Sequence, residues 1–103
     1  MWKIRKMKKI FDTYEIQKIL KSFDGQKLIE IKIKTNELFT ATMQKPTLSA
    51  EENDFKLVNA DGFYTSYILY NDIKYLKIEE EGPVASITIG LENTKIIFYY
   101  KNL

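Results

Sequence analysis

Residues 11–25, Phe-Asp-Thr-Tyr-Glu-Ile-Gln-Lys-Ile-Leu-Lys-Ser-Phe-Asp-Gly, carry the clearest structural signal in the chain. Asp12 is a good helix N-cap, and Glu15, three positions on, completes the pattern of a capping box. Phe11 and Ile16 have the spacing of a hydrophobic staple. Ile16, Ile19, Leu20 and Phe23 recur at i, i+3, i+4 and i+7, which places them on one apolar face. Gly25 stands where a left-handed residue would end the helix. Gln17, Lys18, Lys21 and Ser22 fall on the opposite, water-facing side. One apolar stripe needs one surface to pack on, and the rest of the chain reads as sheet.

After Gly25 the period changes from 3.6 to 2. Ile29, Ile31 and Ile33 alternate with Glu30, Lys32 and Lys34, the pattern of a strand with one wet face. Thr35-Asn36-Glu37 reads as a hairpin turn into a second strand over 38–43. Residues 44–54 break the alternation. Pro46 lacks a ladder donor, and Ser49 before Glu52 has the form of a single capped helical turn, so a surface connection or a binding loop is expected there. Further strands are expected at 55–59, 63–70, 73–78, 84–89 and 94–101. Their turns fall at Ala60-Asp61-Gly62, Asn71-Asp72, the acidic Glu79–Pro83 stretch and Gly90–Asn93. That makes seven strands after one helix, and short connections favour antiparallel neighbours.

Two of these strands are apolar on both faces. Phe63, Tyr67 and Leu69 alternate with Tyr64, Ile68 and Tyr70. Ile96, Phe98 and Tyr100 alternate with Ile97 and Tyr99. Such strands need cover on both sides, and a single helix covers one. The expected fold is therefore α+β: one N-terminal helix packed on a strongly curved antiparallel sheet or small barrel of about seven strands. If the sheet stays open, the second face is an interface to a partner or to another copy, so the chain is expected as a monomer or a homodimer.

Composition narrows the chemistry. The chain has 103 residues, no Cys and no His, which removes disulfides, thiolate nucleophiles, Cys-based zinc sites and the commonest general base. The four glycines are accounted for by caps and turns, so no phosphate-binding loop is present. Asp54, Asp61 and Asp72 sit at turns, and Glu79, Glu80 and Glu81 are adjacent rather than convergent, so no metal site, cofactor or catalytic residue is assigned. Apolar runs fall short of the ~18 residues that span a bilayer. No apolar segment follows the basic N-terminus, so a cytoplasmic protein is expected. Abundant Lys, Ile, Asn and Tyr suggest a bacterial or phage source.

Residues 1–10 hold Lys3, Arg5, Lys6, Lys8 and Lys9 and no acid, against a net charge of +2 for the whole chain. They read as a basic N-terminal arm or a first strand, with 11–103 as a single α+β domain. Met7-Lys8-Lys9 also reads as a natural beginning. The element order over roughly 12–79 resembles the Sm-like and SH3-like small barrels, with the Asn71-Asp72-Ile73 turn as a local echo. The strands after Pro83 depart from that pattern, and the resemblance assigns no residue a role.

What remains is binding. Tyr64, Tyr67, Tyr70, Tyr75 and Tyr99 are the candidate binding surface, because tyrosines anchor interfaces. The expectation is a small non-enzymatic protein-binding module, such as an inhibitor, immunity or accessory protein of a mobile element or phage. The alternative is a nucleic-acid-binding barrel in which Lys3, Arg5, Lys6, Lys8 and Lys9 contact phosphates and strand aromatics stack on bases.

Overall fold

The computed structural model describes residues 6–25, 29–35, 40–44, 46–58 and 65–101, with positions 6, 40–44, 65–66 and 81 described through the backbone only. Among these the chain forms β1 (Lys6–Ile10), α1 (Thr13–Lys21), β2 (Glu30–Thr35), β3 (Thr40–Gln44), β4 (Thr47–Ala50), β5 (Asp54–Val58) and β6 (Thr65–Leu69). A 3₁₀ turn at Tyr70–Asp72 follows, then β7 (Tyr75–Glu81), β8 (Val84–Gly90) and β9 (Thr94–Lys101). All strand pairs are antiparallel. They make a large six-stranded sheet in the order β1-β7-β8-β9-β2-β3 and a small three-stranded sheet in the order β4-β5-β6.

Helix α1 begins as its sequence requires. The Asp12 carboxylate accepts a hydrogen bond from the Glu15 N–H at 2.9 Å, satisfying one of the helix's orphan donors. The Glu15 carboxylate lies 3.6 Å from Lys8 Nζ on β1. Ile16 and Leu20 are buried, and Ile19 and Phe23 pack against the same core. The staple differs from expectation. Phe11 is 66% exposed, and Ile10, one residue earlier, takes the buried place. Gly25 adopts φ +77°, and its N–H donates to the Leu48 carbonyl at 2.8 Å. The Asp24 carboxylate accepts from the Ala50 N–H at 2.8 Å. The end of the helix thus occupies the edge of β4 with real hydrogen bonds.

The registers explain the core. One row across the large sheet runs Ile10, Leu76, Ile89, Ile96, Ile33, and the next runs Ile78, Ile87, Phe98, Ile31. Alternation puts both rows on the same face. That inner face is covered by Leu48, Phe55, Leu57 and Ile68 of the small sheet, by Tyr70 and Ile73 around the 3₁₀ turn, and by Ile16 and Leu20 of α1. Phe55 meets Phe98 edge to face at 5.9 Å, and Phe23 meets Tyr100 at 4.9 Å, so both the small sheet and the turn that follows α1 touch β9. A third row, Glu80, Ala85, Tyr100, marks where the core meets water. Burial, with Glu80 as a second cause, raises the Tyr100 phenol above its usual pKa.

Several expectations are corrected. The sheet does not close into a barrel: β1 and β3 are its two edges, and a second sheet supplies the cover instead. The small-barrel resemblance fails on the same pairing. Residues 44–54 are not simply a connection, because Thr47–Ala50 is strand β4, paired with β5. Leu48 is fully buried and Pro46 nearly so, and Pro46 precedes the first ladder residue, where a missing N–H costs nothing. The acidic stretch is not a turn. β7 runs through Glu81, and the reversal needs only Gly82, at φ +69°, and Pro83. The expected 63–70 strand is β6, which ends before Tyr70. The expected turns at 35–37 and 60–62, and Phe63, fall wholly or largely outside the described residues.

Because Leu20 is fully buried between the sheets and the helix, Leu20→Ala should destabilise the chain by about 2–5 kcal/mol. A urea melt checks this; a loss under about 0.5 kcal/mol would mean the stripe faces water.

Candidate interaction surfaces

The candidate tyrosines do not share one surface. Tyr64 lies outside the described residues. Tyr70 is 1% exposed and belongs to the core, so it leaves the binding set. It stands two residues beyond buried Ile68, on the same inward side, with its ring 6.0 Å from that of Phe55. Its hydroxyl donates to the Glu51 carbonyl at 3.1 Å. Burial first, then the negative charges of Asp54, Asp24 and Glu51, push its phenol up to about 12. Tyr67 stands 64% exposed on β6. Tyr75 and Tyr99 are half-buried on the outer face of the large sheet.

That outer face has a defined pattern. One row runs Lys9, Lys77, Thr88, Ile97, Lys32, and the adjacent row runs Met7, Glu79, Ser86, Tyr99, Glu30. Within β7 and within β2 the two rows carry opposite charges. Lys77 Nζ lies 3.0 Å from Glu79 Oε1, and Lys32 Nζ lies 3.7 Å from Glu30 Oε1. Lys32 also sits 5.5 Å from the centre of the Tyr99 ring. β8 contributes only short side chains, and the result is a trough of about 410 Å³ walled by Lys77, Glu79, Ile97 and Tyr99. Tyr75 is already engaged. Its ring lies over Gly90, where an added Cβ would collide with a ring carbon. The Lys9 ammonium stands 4.4 Å from its centre. Gly90 is thus required for close approach, as glycines in strands often are.

The second surface is the edge of the small sheet. Among the described residues β6 pairs only with β5. Tyr67 and Leu69 project from it, 64% and 44% exposed. Lys56, which faces Tyr67 across the ladder, is held by Glu51 at 3.1 Å. That hydrogen bond raises the Lys56 pKa. Beside β6 opens a groove of about 640 Å³, closed on its far side by Leu91, Glu92, Asn93 and Thr94 of the β8–β9 turn, with Asp72 and Lys74 at its end. The sequence flagged Tyr67, but not this groove. Its walls are some twenty residues apart, and only the tertiary pairing brings them together.

The basic N-terminal stretch is divided by strand geometry. Lys3 and Arg5 lie outside the described residues, and Lys6 is placed only by its backbone, opposite Glu80. Lys8 and Lys9 point to opposite faces. The first meets Glu15 and the second meets Tyr75 and, at 5.5 Å, Phe11.

Among the described residues no group of three or more acids is gathered as a metal site would need, and no helix is long and apolar enough to cross a membrane. Comparison of the chain with protein-family models, with curated proteins and with solved structures returns no match.

The raised Tyr70 phenol has a pH consequence. An unfolded tyrosine ionises near pH 10, whereas the folded one holds its proton to about 12. The stability owed to neutral Tyr70 is complete below about pH 10 and is lost as the pH climbs towards 12. Tyr70→Phe should cost about 0.5–1.5 kcal/mol near neutrality, since the Glu51 carbonyl loses its donor. Its urea midpoint should then fall less steeply than the wild type's between about pH 9 and 11.5. Parallel curves for the two proteins would show that Tyr70 ionises as freely folded as unfolded.

Proposed function

We propose that this chain is a small protein-binding module, of the kind that serves as an inhibitor, immunity factor or accessory protein of a bacterial mobile element or phage, and that it takes an extended segment of its partner along β6. The observation that carries this reading is an edge strand with two large exposed apolar side chains beside an open groove. An exposed sheet edge offers a ladder of backbone donors and acceptors to an incoming strand, while alternate side-chain pockets give selectivity. Left unused, such an edge is an aggregation liability. Asp72, Lys74 and Glu92 give the groove a mixed-charge rim around Leu69 and Leu91, which suits a polypeptide better than a uniformly charged chain.

The alternative, a nucleic-acid binder, draws less support from the geometry. Lys8 and Lys9 diverge, Tyr75 is covered by Lys9 and Gly90, and Glu79 and Glu30 interrupt the lysines of the outer face. Among the described residues no constellation of side chains supports a catalytic role.

The test is selection of a displayed random peptide library on the folded protein. Binders should carry alternating apolar residues, and the paired changes Tyr67→Lys and Leu69→Lys should abolish their binding while the circular dichroism spectrum is unchanged. Peptides indifferent to both changes, or retention of a single-stranded oligonucleotide at physiological salt in place of peptides, would contradict the proposal.

A further inference from the structure

We infer that the outer face of the large sheet is a homodimer interface, in which two copies meet through a two-fold axis running across the strands. This does not rest on the β6 reading and uses a different surface. The order of residues on the face sets the orientation. Its central rows are Lys77, Thr88, Ile97, Lys32 and Glu79, Ser86, Tyr99, Glu30. An axis lying between these rows and perpendicular to the strands brings each row of one copy onto the other row of its partner. Lys77 then faces Glu79, Ile97 faces Tyr99, Thr88 faces Ser86 and Lys32 faces Glu30, each contact occurring twice as an isologous interface requires.

An axis parallel to the strands gives the reverse. Placed between β8 and β9 it sets Lys77 against Lys32 and Glu79 against Glu30. The charge pattern therefore selects one orientation as well as one occupant. The intrachain pairs at 3.0 and 3.7 Å become halves of four-charge clusters across the axis. The short side chains of β8 leave room beside Tyr99 for its ring as the sheets close to their usual separation of about 10 Å. Further from the axis the match ends. Lys95 comes towards Lys101, at corners that the twist of each sheet carries apart, so the contact is confined to β7, β8, β9 and β2. This also gives a partner to Ile97 and Tyr99, two side chains at the centre of the face that the core does not use.

The experiment is sedimentation equilibrium over a range of protein concentrations. A monomer–dimer equilibrium is expected, weakened by at least about tenfold in Tyr99→Lys. The decisive arm is mixing. Lys77→Glu alone sets acids against acids and Glu79→Lys alone sets lysines against lysines, so each variant should remain monomeric. Combined in equal amounts they should form a mixed dimer, because each copy supplies the charges that the other needs. An intrachain role for the Lys77–Glu79 pair would not produce this rescue. A monomer at every concentration, or a dimer that ignores Tyr99→Lys and shows no rescue on mixing, overturns the inference.

Discussion

The contact between Phe55 of the small sheet and Phe98 at the centre of the large one is the point through which the structure is held together. Two rows of aliphatic and aromatic side chains cross the inner face of the large sheet. A face of that kind must be removed from water, at about 25 cal/mol for each square ångström of apolar surface buried. A nine-residue helix is too short to cover it. The small sheet does most of the covering, and its place is fixed by the edge-to-face ring pair and by the hydrogen bonds that tie Gly25 and Asp24 to β4. Helix and small sheet therefore act as a single second layer.

This division of labour decides which surfaces remain for function. The inner face is consumed by the core. The β4 edge is occupied by the end of α1. Beside the β1 and β3 edges, the β6 edge with its groove and the outer face of the large sheet, with Ile97 and Tyr99 at its centre, stay open among the described residues. Both carry apolar groups set among mixed charges, as contact surfaces between proteins do, and neither gathers the convergent carboxylates or lysines that chemistry on a small substrate would use.

Much of this was legible in the residues. Asp12, the Ile16–Phe23 stripe and Gly25 mark α1 by local chemistry alone, and period-2 alternation marks β2, β5, β7, β8 and β9. The doubly apolar Ile96–Tyr100 run signals a need for cover on both faces; the small sheet and α1 cover the face of Ile96 and Phe98, and the sheet does not close over the other. The kind of cover was not legible. β4 is a four-residue strand with Pro46 before it and acids after it, and its strand character comes from pairing with β5, not from its own composition. Without β4 the small sheet cannot be counted, and closure into a barrel becomes the remaining solution. Tyr70 misleads because residue type alone puts it among the binding tyrosines: alternation places it on the face of Ile68, and that face is the buried one. The basic stretch reads as an arm or a first strand; Lys6–Ile10 is strand β1, and its alternation sends Lys8 and Lys9 to opposite sides.

The most direct test of the two-layer arrangement is a nuclear Overhauser measurement on the folded chain. The open sheet covered by a second sheet predicts ring-to-ring contacts between Phe55 and Phe98, together with cross-strand backbone contacts linking β4 to β5. Backbone contacts joining β1 to β3, with no contact between the Phe55 and Phe98 rings, would show a closed barrel and contradict it.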